Sequence, residues 1–149
     1  MRAAVQRVSE ASVVVEGSVC GRIEKGLLVY LGVERDDAES DAAYIAEKVR
    51  HVRIFPDGAG RMNLDVAQVC GKVLVVSAFT LHGDARRGRR PSFEAAADPD
   101  RAIILYEMVC DALAGGGVHV ERGRFGALMD VRSTNAGPIC ILLESRRKF

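Results

Sequence analysis

The order of the apolar segments constrains this chain most. Strand-length runs crowd both ends, and one further run separates two helical stripes in the interior. Arg2 to Ser9 alternates loosely, and Ser12 to Glu16 is β-branched. Glu16-Gly17 is a turn signal from which Ser18 to Ile23 can return as a hairpin. Gly26 opens Leu27-Leu28-Val29-Tyr30-Leu31, an apolar run of the length of a buried central strand. Asp36 to Arg53 reads as a helix capped by Asp36 or Asp37, with Ile45, Val49 and Val52 on one face. Phe55 to Asn63 reads as loop, and Lys72 to Phe79 gives the strongest strand signal. A polar loop, His82 to Ser92, precedes Asp98-Pro99, where the carboxylate can cap a helix that has Pro in its first position. Ala102, Leu105, Tyr106, Val109 and Leu113 form its stripe, and Gly115 to Gly117 stop it. Val118 to Glu121, Leu128 to Thr134 and Ile139 to Glu144 complete the chain as short strands. This is not a βαβα alternation, so a doubly wound parallel sheet is disfavoured. The order predicts one α+β domain over residues 1–149, a mostly antiparallel or mixed sheet with two helices covering one face.

Charge and composition exclude several classes. Lys plus Arg total 21 and Asp plus Glu 20, so bulk positive charge does not hold this chain to a polyanion. Aromatic residues are 5% with no Trp, too few for a platform of stacking rings. No apolar run is long enough for a membrane span, and Arg2, Gln6, Arg7 and Glu10 interrupt any secretory leader, so a cytoplasmic protein is expected. Cys20, Cys70, Cys110 and Cys140 lie far apart without a CxxC pair, which predicts free thiols behaving as small buried hydrophobes. His51, His82 and His119 are equally scattered, so no metal site is expected.

No phosphate-binding loop, nucleophile elbow or dinucleotide fingerprint is present. Three segments remain. Ser77-Ala78-Phe79-Thr80-Leu81 ends the apolar strand Val73 to Val76. It is either a strand fading into a turn or a place where backbone N–H groups stabilise an oxyanion. Asn135-Ala136-Gly137-Pro138-Ile139 is either a plain turn or a corner with a cis Gly-Pro bond, whose two like-directed carbonyls suit an ammonium group. Arg86-Arg87-Gly88-Arg89-Arg90 is either a solvated loop or a local contact for RNA phosphates.

These segments carry a resemblance. MRAAVQRVSEASVVVEG, GLLVYLGVERDD, RIFPDGAGRMN, VSAFTLHGDARRGRRPSF and GRFGALMDVRSTNAGPI, in that order, resemble the D-aminoacyl-tRNA deacylases of the bacterial and eukaryotic type, the D-tyrosyl-tRNA deacylase family, from Met1 to about Leu143. The resemblance implies a barrel-like α+β homodimer with active sites at the interface. It also implies hydrolysis of the ester joining a D-amino acid, or glycine mischarged onto alanine tRNA, to the tRNA 3′ end, without metal or organic cofactor. It assigns catalysis to Ser77, Phe79 and Thr80, and chiral selection and substrate binding to Gly137, Pro138, Ala78, Arg7 and Met129. In the family the Gly-cis-Pro corner reaches into the partner's site and excludes L-amino acids, and the arginine matched by Arg7 braces it. Arg86, Arg87, Arg89 and Arg90 are the expected tRNA contacts. Two departures stand out: Ala78 where the family usually has Gln, and Cys140 where its Asn-x-Gly-Pro-x-Thr motif ends in Thr. They motivate a second expectation, a weakly active or inactive tRNA-binding homologue. A hydrolase of small D-aminoacyl esters, with the arginines merely solvated, is a third.

Overall fold

The computed structural model describes residues 1–146. β1 (Arg2–Val15) turns at Glu16 and Gly17, both at positive φ, into β2 (Ser18–Ile23), and β3 is Gly26–Gly32. α1 (Glu39–His51), a small ribbon of β4 (Phe55–Pro56) and β5 (Met62–Leu64), and β6 (Lys72–Ser77) follow. A 3-10 turn (Phe79–His82) leads towards α2 (Pro99–Gly115), β7 (His119–Arg122) and β8 (Asp130–Glu144).

The sheet is mixed, in the order β2-β1-β3-β6-β7, with β8 also paired to β1. β1 runs antiparallel to β2, β3 and β8, whereas β3-β6 and β6-β7 are parallel, each pair bridged by a helix. The two outer strands of that order nearly meet, because a Cβ added to Gly21 of β2 would stand 2.7 Å from the Arg122 carbonyl oxygen of β7. The sheet therefore curls into a nearly closed barrel.

Both faces of the central strands are buried, which explains their unbroken apolar runs. Leu27, Val29, Leu31, Val73 and Val75 face the helices and meet Ile45, Val49, Leu105, Val109 and Leu113. The alternate residues, Leu28, Leu74 and Val76, meet Val8, Val13 and Ile23 on the other face. Each such side chain contributes about 1.5–3 kcal/mol by leaving water.

Several details differ from the sequence reading. Neither Asp36 nor Asp37 caps α1. The Asp37 carboxylate is fully buried, held 2.6 Å from the Met1 ammonium and accepting the Glu34 N–H at 2.6 Å. Ala38 takes the cap position, and Asp41 reaches back to accept the Ala38 N–H at 2.9 Å. Asp98 does cap α2 by position, with Pro99 in the first turn, but its side chain makes no cap hydrogen bond. Phe55 to Asn63 is partly ribbon, because the Asp57 carboxylate accepts the Ala59 and Arg61 N–H groups and closes a tight turn. Cys110 is buried and Cys20 half-buried, but Cys70 and Cys140 are exposed; all four are free thiols. The last two expected strands are one strand, β8, with a bulge at its centre.

Candidate active site

At the carboxyl ends of the parallel strands the chain opens a cleft of about 520 Å³. Such ends are where main-chain direction changes and ligands are received. Ser77, Ala78, Phe79, Phe93, Phe125 and Met129 are among the residues that line it. Tyr106 closes the floor and donates its hydroxyl to the Val75 carbonyl at 2.8 Å; burial raises its pKa, so it stays a neutral donor. Burial likewise pushes the neighbouring Cys110 thiol up to about 11, so it is inert packing. Phe93 packs edge-on against Phe79 with centroids 5.1 Å apart, leaving an apolar wall on which a planar ring can lie.

The turn after β6 is anchored from three directions. The Ala78 N–H donates to the Leu31 carbonyl at 2.8 Å. Arg2 donates from Nη1 to the Leu81 carbonyl at 3.0 Å. Gly32 lets the turn lie directly on β3, since an added Cβ would stand 2.9 Å from the Ala78 oxygen, 3.0 Å from His82 Cδ2 and 3.1 Å from Leu81 Cβ. Phe79 and Thr80 open this 3-10 turn, so the helical pattern leaves their N–H groups to outside acceptors. Thr80 is exposed, whereas His82 is buried, and burial depresses its imidazole pKa.

The arginine loop hangs beside this cleft. Asp84 and Ser92 close its base with two main-chain hydrogen bonds of 2.8 and 2.9 Å, and Phe93 follows directly. Arg86 is tied to Asp84 at 2.6 Å, and this pairing holds the Asp84 carboxyl well below the usual carboxylate range. Arg87, Arg89 and Arg90 are exposed on the tip.

Gly137 and Pro138 lie elsewhere. β8 pairs Cys140 with Gln6 and Asn135 with Val8, so five steps along β8 match two along β1. The surplus residues bulge outward, Gly137 and Pro138 are exposed, and the bond between them is cis. Arg7, between those two β1 residues, donates from Nε to the Ala136 carbonyl and from Nη1 to the Ile54 carbonyl, both at 2.7 Å. Asn135 closes the bulge: its Oδ1 accepts the Ile139 N–H at 2.7 Å and its Nδ2 donates to the Ile139 carbonyl at 3.0 Å.

Arg7 pairs with Leu27 and Leu27 with Val73, so the bulge is level with Val73, four residues before Ser77. It is also three strands away. At about 4.8 Å per strand and 3.3 Å per residue, the two segments lie roughly 20 Å apart along the sheet of one chain. The fold thus brings Ser77, Ala78, Phe79 and Met129 together, places Thr80 on the adjoining turn, and keeps Arg7, Gly137 and Pro138 apart from them.

Phe93, Phe125 and Asn135 escaped the sequence reading as site residues. Phe93 ends the segment VSAFTLHGDARRGRRPSF and Phe125 lies in GRFGALMDVRSTNAGPI, but their convergence on Ser77 depends on the crossover through α2. Among the described residues no group of three or more His, Cys, Asp or Glu is placed to hold a metal ion, and no helix is long and apolar enough to cross a membrane.

The family model described as D-Tyr-tRNA(Tyr) deacylase matches residues 4–144. The D-aminoacyl-tRNA deacylase of Anaeromyxobacter dehalogenans is 57% identical over 149 residues, covering 100% of both chains. That of Thermus aquaticus is 53% identical over 148 residues, covering 99% of this chain and 97% of its own. Among solved structures, a c-Myc DNA unwinding element binding protein superposes with a TM-score of 0.91 at 32% identity, covering 97% of this chain and 98% of that one. A probable eukaryotic D-amino acid tRNA deacylase, at 18% identity and a TM-score of 0.81, covers 95% of this chain and 97% of its own and shares the fold.

Proposed function

Since the chain belongs to the D-aminoacyl-tRNA deacylase family, a family of hydrolases, we propose that it cleaves the ester between a D-amino acid and the 3′ end of tRNA in the cytoplasm. Residues 1–149 act as one unit, and two copies make the working enzyme. The observation that carries this reading is the separation of the two halves of the site. A cleft with free main-chain donors at the end of β6 lies roughly 20 Å from an outward main-chain corner on the same chain. A second copy can supply the corner that the first copy's cleft lacks.

In that arrangement the ester sits against the Phe79 and Thr80 N–H groups, which stabilise the tetrahedral oxyanion. An aminoacyl ester is already activated, so orientation does much of the remaining work. Water attacks the carbonyl carbon, and the ribose oxygen leaves with a proton. The neighbouring ribose 2′-OH positions the water. His82 is 3% exposed and has little access to exchange protons with solvent. The partner's main-chain carbonyls at Gly137 and Pro138 receive the ammonium group. With ester and ammonium both placed, an L side chain points into the corner, a D side chain points outward, and glycine has nothing to clash. Glycyl-tRNA charged for alanine is therefore also a substrate. The apolar wall of Phe79 and Phe93 takes the terminal base, and Arg87, Arg89 and Arg90 meet tRNA phosphates.

Deacylation of D-, L- and glycyl-tRNA side by side tests this reading. D- and glycyl-tRNA should be cleaved and L-aminoacyl-tRNA spared; equal rates for D and L refute it. Thr80→Val should keep near-normal turnover, and a trapped acyl-enzyme on Thr80 would refute the water route.

Ala78 and Cys140 favour a second reading, a tRNA-binding homologue of low activity. Ala78 brings no polar group to the cleft wall, and Cys140 stands exposed on β8 two residues beyond Pro138. That reading expects aminoacyl-tRNA binding without D-specific turnover.

A further inference from the structure

The Asn135 carboxamide meets both main-chain polar groups of Ile139, four residues on. It closes a small ring around Ala136, Gly137 and Pro138, the residues that leave the β1-β8 ladder. Inside a sheet the ladder fixes the main chain, but an extruded segment has lost those bonds and needs another restraint. Arg7 restrains the entry to this ring through Ala136. Asn135 restrains the exit through Ile139, whose side chain packs against the core. Between these two restraints Gly137 and Pro138 are exposed.

We propose that Asn135 is a positioning residue for stereochemical discrimination: its two hydrogen bonds to Ile139 keep the Gly137–Pro138 corner from yielding to an L side chain. The inference rests on the proposed function above and names the element that makes the corner stiff. Steric exclusion works only if the excluding surface cannot give by the width of a methyl group. A β-bulge tied at one end can swing, and one tied at both ends cannot. Asparagine is suited to the task because one planar group offers an acceptor and a donor side by side. Alanine offers neither, and aspartate offers only the acceptor.

The test compares kcat/KM for D- and L-aminoacyl-tRNA carrying the same amino acid in the wild type, Asn135→Ala and Asn135→Asp. Hydrogen exchange at the Ile139 amide is followed in parallel. Asn135→Ala should raise L-specific hydrolysis relative to D by about tenfold, the effect of one to two lost hydrogen bonds. Its Ile139 amide should exchange faster. Asn135→Asp should keep the Ile139 amide protected and lie between the other two in selectivity. A merely structural role would lower both rates together and leave their ratio unchanged. An unchanged D/L ratio in folded Asn135→Ala, or in Asn135→Asp if the alanine variant does not fold, overturns the inference. A wild type that fails to cleave D-aminoacyl-tRNA overturns instead the functional reading beneath it.

Discussion

Gly32→Ala is a one-methyl perturbation that separates the site from the fold. The new methyl carbon meets three atoms at once: the Ala78 oxygen at 2.9 Å, His82 Cδ2 at 3.0 Å and Leu81 Cβ at 3.1 Å. The oxygen contact is closer than a real methyl carbon tolerates, and the other two neighbours must each give by a few tenths of an ångström. The Ala78 oxygen is main chain and cannot rotate away, and the other two contacts are at the far end of the same turn. Relief therefore requires the whole 3-10 turn to lift from β3. Overpacking of this kind costs about 1–3 kcal/mol. For a chain of this length that lowers Tm by about 3–10 °C. The same displacement moves the Phe79 and Thr80 N–H groups, and misplacement approaching 1 Å can reduce turnover by about a hundredfold. The assay pairs thermal unfolding with single-turnover deacylation of D-aminoacyl-tRNA, both well below the variant's Tm. A folded Gly32→Ala protein with wild-type turnover would refute the claim that this turn carries the oxyanion donors.

Arg7→Ala removes the hydrogen bonds to the Ala136 and Ile54 carbonyls and should destabilise the protein by about 2–3 kcal/mol in chemical unfolding. Arg7→Lys should recover only part of this, because one ammonium cannot reproduce the fork; full recovery would argue against a two-point brace. Arg87→Gln, Arg89→Gln and Arg90→Gln together should flatten the salt dependence of tRNA binding by about 0.7–0.9 in log–log slope for each arginine that meets a phosphate. Arg86→Gln should change it least, since Asp84 already holds that side chain; equal effects from all four would contradict the assignment. For His82 the folded pKa is lowered, chiefly by burial, with Arg2 and the N-terminal ammonium adding to the shift and the Gly32 main chain and Glu34 opposing it. The unfolded chain therefore takes up the proton first, so this contribution is complete above about pH 6.5 and declines as the pH falls below it. His82→Gln should lose less Tm than the wild type between about pH 7 and 5, and parallel curves would refute this.

The parts of the fold legible in the sequence are those where one residue's environment is set by its own strand or helix. Leu27 to Leu31 and Val73 to Val76 read as buried strands because the helices cover one face of the sheet and the curled sheet covers the other. The start of α1 misleads because Asp37 resembles a cap, yet its carboxylate is spent on Met1, a partner 36 positions away. Gly137–Pro138 stood out as a corner, but the single strand running through it did not, because the ring closed by Asn135 and Ile139 has no periodic signature. The cleft was invisible for a related reason. Its walls come from the ends of β3 and β6, from Phe93 and α2, and from the segment after β7, and only the crossovers bring them together.

Subunit mixing tests most directly whether a site is completed by two chains. One parent carries Gly137→Ala and Pro138→Ala, and keeps its cleft but not its corner. The other carries Gly32→Val, and keeps its corner but not its turn. Mixed dimers should hold one intact site that cleaves D-aminoacyl-tRNA and spares the L form, a discrimination neither parent shows alone. Mixtures that behave as the sum of their parents, or a wild-type enzyme that works as a monomer, would contradict the account.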